Sequence, residues 1–194
     1  GKTRVIAAKI AHLLAQGHDP ANIAAITFTN KAAREMKERV AALLKVQGAR
    51  EAAGRIAIST FHALGLAIIR ADAAAVGLKP SFSILGPSDI ETMIAELLGT
   101  TDLGRARAAQ WAISRWKNAL VSAPAAVAAA QDADEAAAAQ AYLRYDDTLR
   151  AYQAVDFDDL IALPIALLES RPEIAARWRE RCAQLLVDEY QDTN

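Results

Sequence analysis

The sequence predicts an α/β fold in which a parallel sheet carries a long helical insertion. Three apolar segments have the length of short buried strands, namely 23–28, 55–60 and 185–187. Continuous apolar strands alternating with helices are typical of a parallel sheet that is covered on both faces. Roughly 120 residues separate the second and third segments, whereas a crossover between parallel strands needs about a dozen or somewhat more. The excess is therefore predicted to form a helical subdomain.

The helices around the first strand follow from apolar spacing and capping signals. The first is predicted from Arg4 to Gln16, and Gly17 ends it. The second begins at Thr29 or Asn30, either of which can cap it. Its apolar face is formed by residues at helical spacing: Ala32, Ala33, Met36, Val40, Leu43 and Leu44.

Helical patterns also fill most of the insertion, at 63–75, 88–98, 105–120, 124–152 and 157–169. The segment 125–141 is rich in alanine, and we interpret it as a solvated or loosely packed helix. The three tryptophans fall on predicted helices, where packing is their expected role: Trp111, Trp116 and Trp178. Asp156 is interpreted as a helix cap, with Asp158 and Asp159 favoured by the helix dipole.

Composition limits the classes of function. The formal net charge is −1, from 22 basic and 23 acidic residues, so any contact with nucleic acid must come from local basic patches. Cys182 is the only cysteine, which excludes an internal disulfide and suits a reducing compartment. We find no signal peptide and no membrane-spanning run, so a cytoplasmic location is expected. Because the chain begins at Gly1 without Met and stops after a charged motif, we expect an excerpt of a longer protein.

The first candidate site is Gly1-Lys2-Thr3, which opens a helix and matches the tail of a phosphate-binding loop. The N–H groups and the dipole at a helix N-terminus favour an anion. Lys2 would reach the β- and γ-phosphates, and Thr3 would offer its hydroxyl to Mg²⁺. The match is short and arises often by chance, so an exposed terminus is the alternative interpretation.

The second candidate site is Asp188-Glu189, directly after the third apolar segment. Parallel sheets bind ligands at the carboxyl ends of their strands. A carboxylate there can hold Mg²⁺, and a second one can activate an attacking water. A solvent-facing acidic pair is the alternative, but its joint occurrence with Gly-Lys-Thr favours a phosphate-transfer site.

Four segments resemble motifs of the UvrD/Rep/PcrA helicases, superfamily 1 enzymes that move 3′ to 5′ on single-stranded DNA. Residues 188–194, Asp-Glu-Tyr-Gln-Asp-Thr-Asn, resemble motif II. Residues 27–36 resemble motif Ia, and residues 59–65 resemble the Ib-type motif that follows it. Residues 156–160 resemble a segment of the family's helical subdomain. The matches span the chain in family order, and the segments 27–40 and 116–118 resemble Rep-like members most.

The resemblance implies a RecA-like P-loop domain, called 1A, with a large all-helical insertion called 1B. Domain 1A is expected to comprise residues 1–62 and a return segment, 173–194, which ends in the motif II residues. Subdomain 1B is expected to comprise residues 63–172.

The resemblance also implies a role for each matching residue. Asp188 would hold Mg²⁺, Glu189 would activate water, and Gln191 would sense the γ-phosphate of ATP. Lys2 and Gln191 join Glu189 as catalytic candidates. The expected nucleotide contacts are Gly1, Lys2, Thr3, Arg4, Asp188, Glu189 and Gln191, with Thr3 and Asp188 as the metal ligands.

The expected path of single-stranded DNA is lined by Thr27, Phe28, Thr29, Asn30, Thr60, Phe61 and His62. An ordinary core position is the alternative for Phe28 and Phe61, and a plain helix cap is the alternative for Thr29. Lys117, beside Trp116, is a candidate contact to duplex DNA ahead of the junction.

The function that this resemblance implies is an ATP-dependent 3′–5′ DNA helicase or translocase in a bacterial cytoplasm. Its cofactors would be ATP and Mg²⁺, and its partners single-stranded and forked DNA together with replication or repair proteins. The isolated chain is expected to be inactive. Two alternatives stay open: a helicase–nuclease subunit of the AddA or RecB type, and a non-catalytic ATP-binding interaction module.

Overall fold

The computed structural model describes residues 2–192, without the side chains of Lys2 and Asp192; Gly1, Thr193 and Asn194 lie outside the described residues. The helices are α1 Lys2–Ala15, α2 Asn30–Val46, α3 Arg50–Ala53, α4 Phe61–Ala71, α5 Pro87–Leu98, α6 Leu103–Asn118, α7 Ala123–Ala129, α8 Ala133–Ala151, α9 Asp159–Ser170 and α10 Pro172–Arg181. The strands are β1 Ile23–Thr27, β2 Ala57–Thr60, β3 Ser83–Ile84, β4 Ala154–Val155 and β5 Gln184–Val187.

The chain forms two compact units, one made of the residues up to 64 and from 168 onward, the other of residues 65–167. The prediction that these correspond to subdomains 1A and 1B stays a prediction. None of the described helices has the length and apolar character needed to cross a membrane.

The first unit is built on a three-stranded sheet in the order β2-β1-β5, and both pairings are parallel. Every residue of β1 is buried, as expected for a central strand covered on both faces. This confirms the predicted mixed α/β class with a parallel sheet.

The second helix of this unit also follows its prediction. Thr29 is the cap, and its Oγ1 accepts a hydrogen bond from the backbone N–H of Ala32 at 3.1 Å. The predicted apolar face packs inward, with Ala33, Met36, Val40 and Leu44 buried. Gly17 follows α1 with a φ of +87°, a left-handed conformation that glycine adopts without steric cost.

The second unit has a core formed between α5, α6, α7 and α8. The single helix predicted at 124–152 is wrong, because the chain breaks between α7 and α8. Asp132 caps α8 by accepting from the backbone N–H of Glu135 at 2.7 Å, while Glu135 Oε2 accepts from the backbone N–H of Gln131. An acid followed three residues later by Glu is a helix-start signal, and here it interrupts an otherwise continuous run of alanines.

The prediction of a solvated or loosely packed alanine helix is also wrong. Ala126, Ala138, Ala139 and Ala141 are buried, and the first three belong to the main core cluster of the unit. A methyl side chain lets helix backbones approach closely. The alanines at these positions therefore pack in the core and do not face solvent.

The all-helical description of the insertion needs one correction. Strands β3 and β4 form a two-stranded parallel ladder within residues 65–167. The ladder is extended by hydrogen bonds from Ser83 N to Gln153 O and from Leu85 N to Val155 O. Strands of two residues carry no detectable alternation of polarity, which is why the pattern did not predict them.

Lys117 is not available for the predicted contact with duplex DNA. Its side chain is only 4% exposed, and its Nζ lies 2.7 Å from Asp156 Oδ2 and 2.8 Å from Asp159 Oδ1. The Tyr145 hydroxyl donates to the same Asp156 oxygen at 2.8 Å. The predicted cap is present as well, because Asp156 Oδ1 accepts from the backbone N–H of Asp159.

The charges in this buried cluster perturb one another. Burial lowers the pKa of Lys117, but the carboxylates of Asp159 and Asp156 outweigh it and hold the pKa above its usual value. Burial raises the pKa of Asp156, but the ammonium of Lys117 more than reverses this. Burial together with the neighbouring Asp156 charge raises the pKa of Asp159 to about 6 despite Lys117. Lys117 is therefore the cation that compensates the negative charge of two buried carboxylates.

Trp111 departs from its predicted packing role. Trp116 and Trp178 are buried, and Trp116 stacks on Tyr142 with 6.0 Å between ring centroids. Trp111, in contrast, is 75% exposed.

Gly65 in α4 marks a close approach between two helices of the second unit. A Cβ atom there would overlap the carbonyl oxygen of Leu160 in α9 and would lie 3.2 Å from Pro164 Cγ. Backbone atoms cannot move aside as a flexible side chain can, so the contact requires glycine.

We expect Lys117→Met to destabilise the second unit by about 3–5 kcal/mol, because two buried carboxylates lose their cation. Urea unfolding followed by circular dichroism measures the change. The matched control is Arg107→Met, which removes an exposed pair with Glu91 and should leave the midpoint nearly unchanged. Equal midpoints for the two variants would contradict the assignment of Lys117 as the essential countercharge.

We expect Gly65→Ala to lower stability by about 1–3 kcal/mol through overpacking, although alanine favours helix. Gly54→Ala is the control, since the nearest atom to an added Cβ there is 3.9 Å away. Thermal melting of both variants tests this, and a Gly65→Ala protein as stable as the parent would rule out the close approach.

Candidate functional site

The candidate residues lie at one edge of the sheet, where β5, β1 and β2 reach their carboxyl ends. In the register of the sheet, Val187 pairs with Ile26, and Thr27 pairs with Thr60. The ladder continues one step beyond β5, because the backbone N–H of Asp188 donates to Ile26 O at 2.8 Å. Residues from both ends of the sequence therefore meet at this edge.

The central contact of the site joins Thr3 and Asp188, which are 185 positions apart in the sequence. Thr3 Oγ1 donates to Asp188 Oδ2 at 3.4 Å. The other carboxylate oxygen of Asp188 accepts from the backbone N–H of Glu189 at 3.1 Å. Asp188 is only 5% exposed, so its carboxylate is held in a fixed position beside the start of α1.

These two side chains fit a magnesium ion. A hydroxyl and a carboxylate are hard oxygen donors, and Mg²⁺ commonly takes one or two protein oxygens and completes its shell with phosphate and water. Within residues 2–192 there is no cluster of three His, Cys, Asp or Glu side chains that could hold a metal.

Glu189 follows in an uncommon backbone conformation, with a φ of +54°. A non-glycine residue with positive φ carries a conformational cost and is found preferentially at functional sites. The Gln191 amide donates to Glu189 Oε2 from the short turn Tyr190–Asp192. Glu189 and Gln191, which the resemblance implies to be catalytic residues, thus lie in contact.

The phosphate-binding end of the site is described only in part. Helix α1 begins at Lys2, as the phosphate-loop interpretation requires, and Arg4 is exposed on its first turn. The side chain of Lys2 and the whole of Gly1 lie outside the described residues, as do Thr193 and Asn194 of the motif II segment.

The segments predicted to line the DNA path begin at the same edge. Thr27 and Thr60 are buried, and Thr60 Oγ1 accepts from the backbone N–H of Ala63 at the start of α4. Thr29 and Asn30 are exposed at the start of α2, and His62 is partly exposed.

Phe28 and Phe61 form an aromatic pair at this edge, with 5.3 Å between ring centroids and a tilt of 58°. Phe28 is 39% exposed, and Phe61 is partly buried. An ordinary core position does not describe Phe28, because more than a third of this residue is exposed to solvent.

Comparison with known proteins identifies the family. The UvrD/REP helicase N-terminal domain family matches residues 1–194. The chain is 47% identical to the ATP-dependent DNA helicase Rep of Escherichia coli (strain K12) and 46% identical to Rep of Salmonella typhimurium (strain LT2). In both cases the match covers 100% of the chain and 29% of the relative.

A PcrA helicase is similar to the chain over the same range. The ATP-dependent DNA helicase PcrA of Leuconostoc citreum is 43% identical, over 100% of the chain and 26% of the relative. The chain thus spans less than a third of the length of these curated relatives. The family match over residues 1–194 confirms the resemblance seen in the motifs, and the chain belongs to the UvrD/REP helicase N-terminal domain family.

Proposed function

We propose that this chain is the ATP-binding part of a DNA helicase or translocase that moves 3′ to 5′ on single-stranded DNA. The observation that carries the proposal is the contact between Thr3 and Asp188 at the carboxyl edge of a parallel sheet. A hydroxyl at a helix start beside a strand-end carboxylate is the arrangement that binds a magnesium nucleotide.

In this proposal the nucleotide lies at the start of α1. Gly1, Lys2 and Arg4 bind its phosphates, and Thr3 and Asp188 hold Mg²⁺. The metal would neutralise charge that develops on the phosphate oxygens. Glu189 orients the attacking water and accepts its proton, and Gln191, which contacts Glu189, senses the γ-phosphate.

Single-stranded DNA crosses the neighbouring strand ends. Phe28 and Phe61 offer rings for base stacking, while Thr29, Asn30 and the N–H groups at the start of α2 contact phosphate oxygens. Of the remaining candidates, His62 is partly exposed and would contact the DNA, whereas Thr27 and Thr60 are buried and would act by positioning Phe28 and Phe61, which follow them. The proposal is supported by the exposure of Phe28 at the sheet edge.

The first unit would be a RecA-like P-loop domain 1A, and the second unit would be its 1B insertion. The whole protein would act in a bacterial cytoplasm on single-stranded and forked DNA, together with replication or repair proteins. Because arginines from a second domain complete such sites, we propose that these residues alone form an incomplete ATPase.

We expect Glu189→Gln, in the protein that carries this chain, to retain ATP binding and to lower turnover by a factor of about 10²–10⁴. The amide keeps the shape of the side chain but cannot accept the proton of the attacking water. Fluorescent nucleotide binding and a DNA-stimulated ATPase assay separate the two effects. Glu180→Gln, an exposed change on α10, should alter neither, and loss of binding in Glu189→Gln would refute its proposed role.

We expect Phe28→Ala to weaken single-stranded DNA binding about tenfold while basal ATPase stays nearly unchanged, since one stacked base is worth about 1–3 kcal/mol. Fluorescence anisotropy with an oligonucleotide measures the affinity. Tyr152→Ala, which removes an exposed ring from the second unit, is the control. Unchanged affinity in Phe28→Ala would remove this ring from the DNA path.

A further inference from the structure

The turn after β5 brings two side chains of the proposed ATP site into contact. The Gln191 amide donates a hydrogen bond to Glu189 Oε2 from the short turn Tyr190–Asp192. Under the proposed function, Glu189 is the base that accepts the proton of the attacking water. A side chain that is bonded to the carboxylate of this base restricts where that carboxylate can point.

The contact depends on an uncommon backbone conformation. Residues two positions apart lie on the same side of an extended strand, but in a helical turn they do not face each other. Glu189 has a φ of +54°, which a non-glycine residue adopts rarely and at a conformational cost. The bend at Glu189, between β5 and the turn, lets the Gln191 side chain reach back to it.

The backbone just before Glu189 is held by three hydrogen bonds of Asp188. Its N–H donates to Ile26 O at 2.8 Å, its Oδ2 accepts from Thr3 Oγ1 at 3.4 Å, and its Oδ1 accepts from the Glu189 N–H at 3.1 Å. These bonds fix the backbone of Glu189 relative to the proposed metal ligands. They do not fix the end of its side chain, which lies several rotatable bonds further out.

The proposed reaction requires that end to be fixed as well. In that step the water oxygen bonds to the γ-phosphorus, the bond to the leaving ADP oxygen breaks, and Glu189 takes the water proton. Glu189 is partly exposed, and a long side chain near solvent samples several rotamers. A displacement of about 1 Å can lower a rate about a hundredfold, so a partner that selects one orientation of the carboxylate has a large effect on turnover.

A glutamine is chemically suited to this task. Its amide is neutral and carries two N–H donors. One N–H bonded to Glu189 Oε2 leaves the second for the γ-phosphate that Gln191 is proposed to sense. A single side chain can therefore contact the substrate and the base at the same time.

We propose that Gln191 is a positioning residue for Glu189, whose carboxylate it holds in the orientation that accepts the proton of the attacking water. This inference rests on the proposed ATPase function and deepens it. The proposed contact of Gln191 with the γ-phosphate would act directly on the base, so that Glu189 is correctly oriented only when ATP is bound.

The first test is Gln191→Leu in the protein that carries this chain, since leucine has a similar size and no N–H donor. We expect DNA-stimulated kcat to fall about 10- to 100-fold, while the affinity for fluorescent ADP, which lacks the γ-phosphate, stays unchanged. The matched control is Gln140→Leu, the same change at an exposed position of α8, which should leave kcat as it is. Loss of ADP binding in Gln191→Leu would reduce Gln191 to a structural role and refute the proposal.

A double-mutant cycle separates positioning of Glu189 from contact with the γ-phosphate alone. In a Glu189→Gln background there is no base to position, so adding Gln191→Leu should change the single-turnover rate, followed with ³²P-labelled ATP, by less than about twofold. Glu189→Asp is a second, more active background, because its shorter carboxylate does not reach the amide. A further loss in both backgrounds as large as in the parent protein would show that Gln191 does not act through Glu189.

The contact itself is tested in the 194-residue chain labelled with ¹⁵N. The Gln191 side-chain amide signals, assigned by their loss in Gln191→Leu, should move in Glu189→Ala and stay in place in Glu180→Ala. Signals that do not move in Glu189→Ala would disprove the contact. An unchanged kcat in Gln191→Leu would overturn this inference alone, whereas unchanged turnover in Glu189→Gln would overturn the proposed function of the site.

Discussion

The structure of the first unit depends on the position of β1 in the middle of its sheet. All five residues of β1 are buried, so its backbone N–H and C=O groups must find partners on both sides. Strand β2 provides one side, and among residues 2–192 the strand that pairs with the other side is β5, near the end of the chain. The chain must therefore return to this sheet after residues 65–167, which form the second unit.

This return is energetically tolerable because the entropy cost of closing a loop grows only slowly with its length. The inserted residues also form their own core, so they do not have to be stabilised by the sheet. Bringing β5 back places Asp188 one step past Val187, where its backbone bonds to Ile26 and its side chain meets Thr3. The proposed metal site thus follows from the need of β1 to form backbone hydrogen bonds on both of its sides.

The same constraint puts the proposed nucleotide and DNA residues on adjacent strands. Neighbouring strands lie about 4.8 Å apart, and β1 neighbours both β5 and β2. The backbone N–H of Asp188, the proposed metal ligand, donates a hydrogen bond to Ile26 O. Ile26 is followed directly by Thr27 and Phe28, which belong to the proposed DNA path. Under the proposed function, the ATP and DNA sites would share a strand and would need no long connecting path.

The sequence predicts features that depend on interactions between residues close together in the chain. It does not predict features that depend on interactions between distant residues. The three short buried strands, the cap at Thr29 and the apolar face of α2 all follow from residues a few positions apart, and all are confirmed. Lys117 and Trp111 lie on one predicted helix, and nothing local distinguishes a buried cation from a solvated one. The burial of Lys117 depends on Asp156 and Asp159, which are 39 and 42 positions away. The exposure of Trp111 likewise depends on how α6 packs against α5 and α8, so both expectations could be corrected only from the three-dimensional structure.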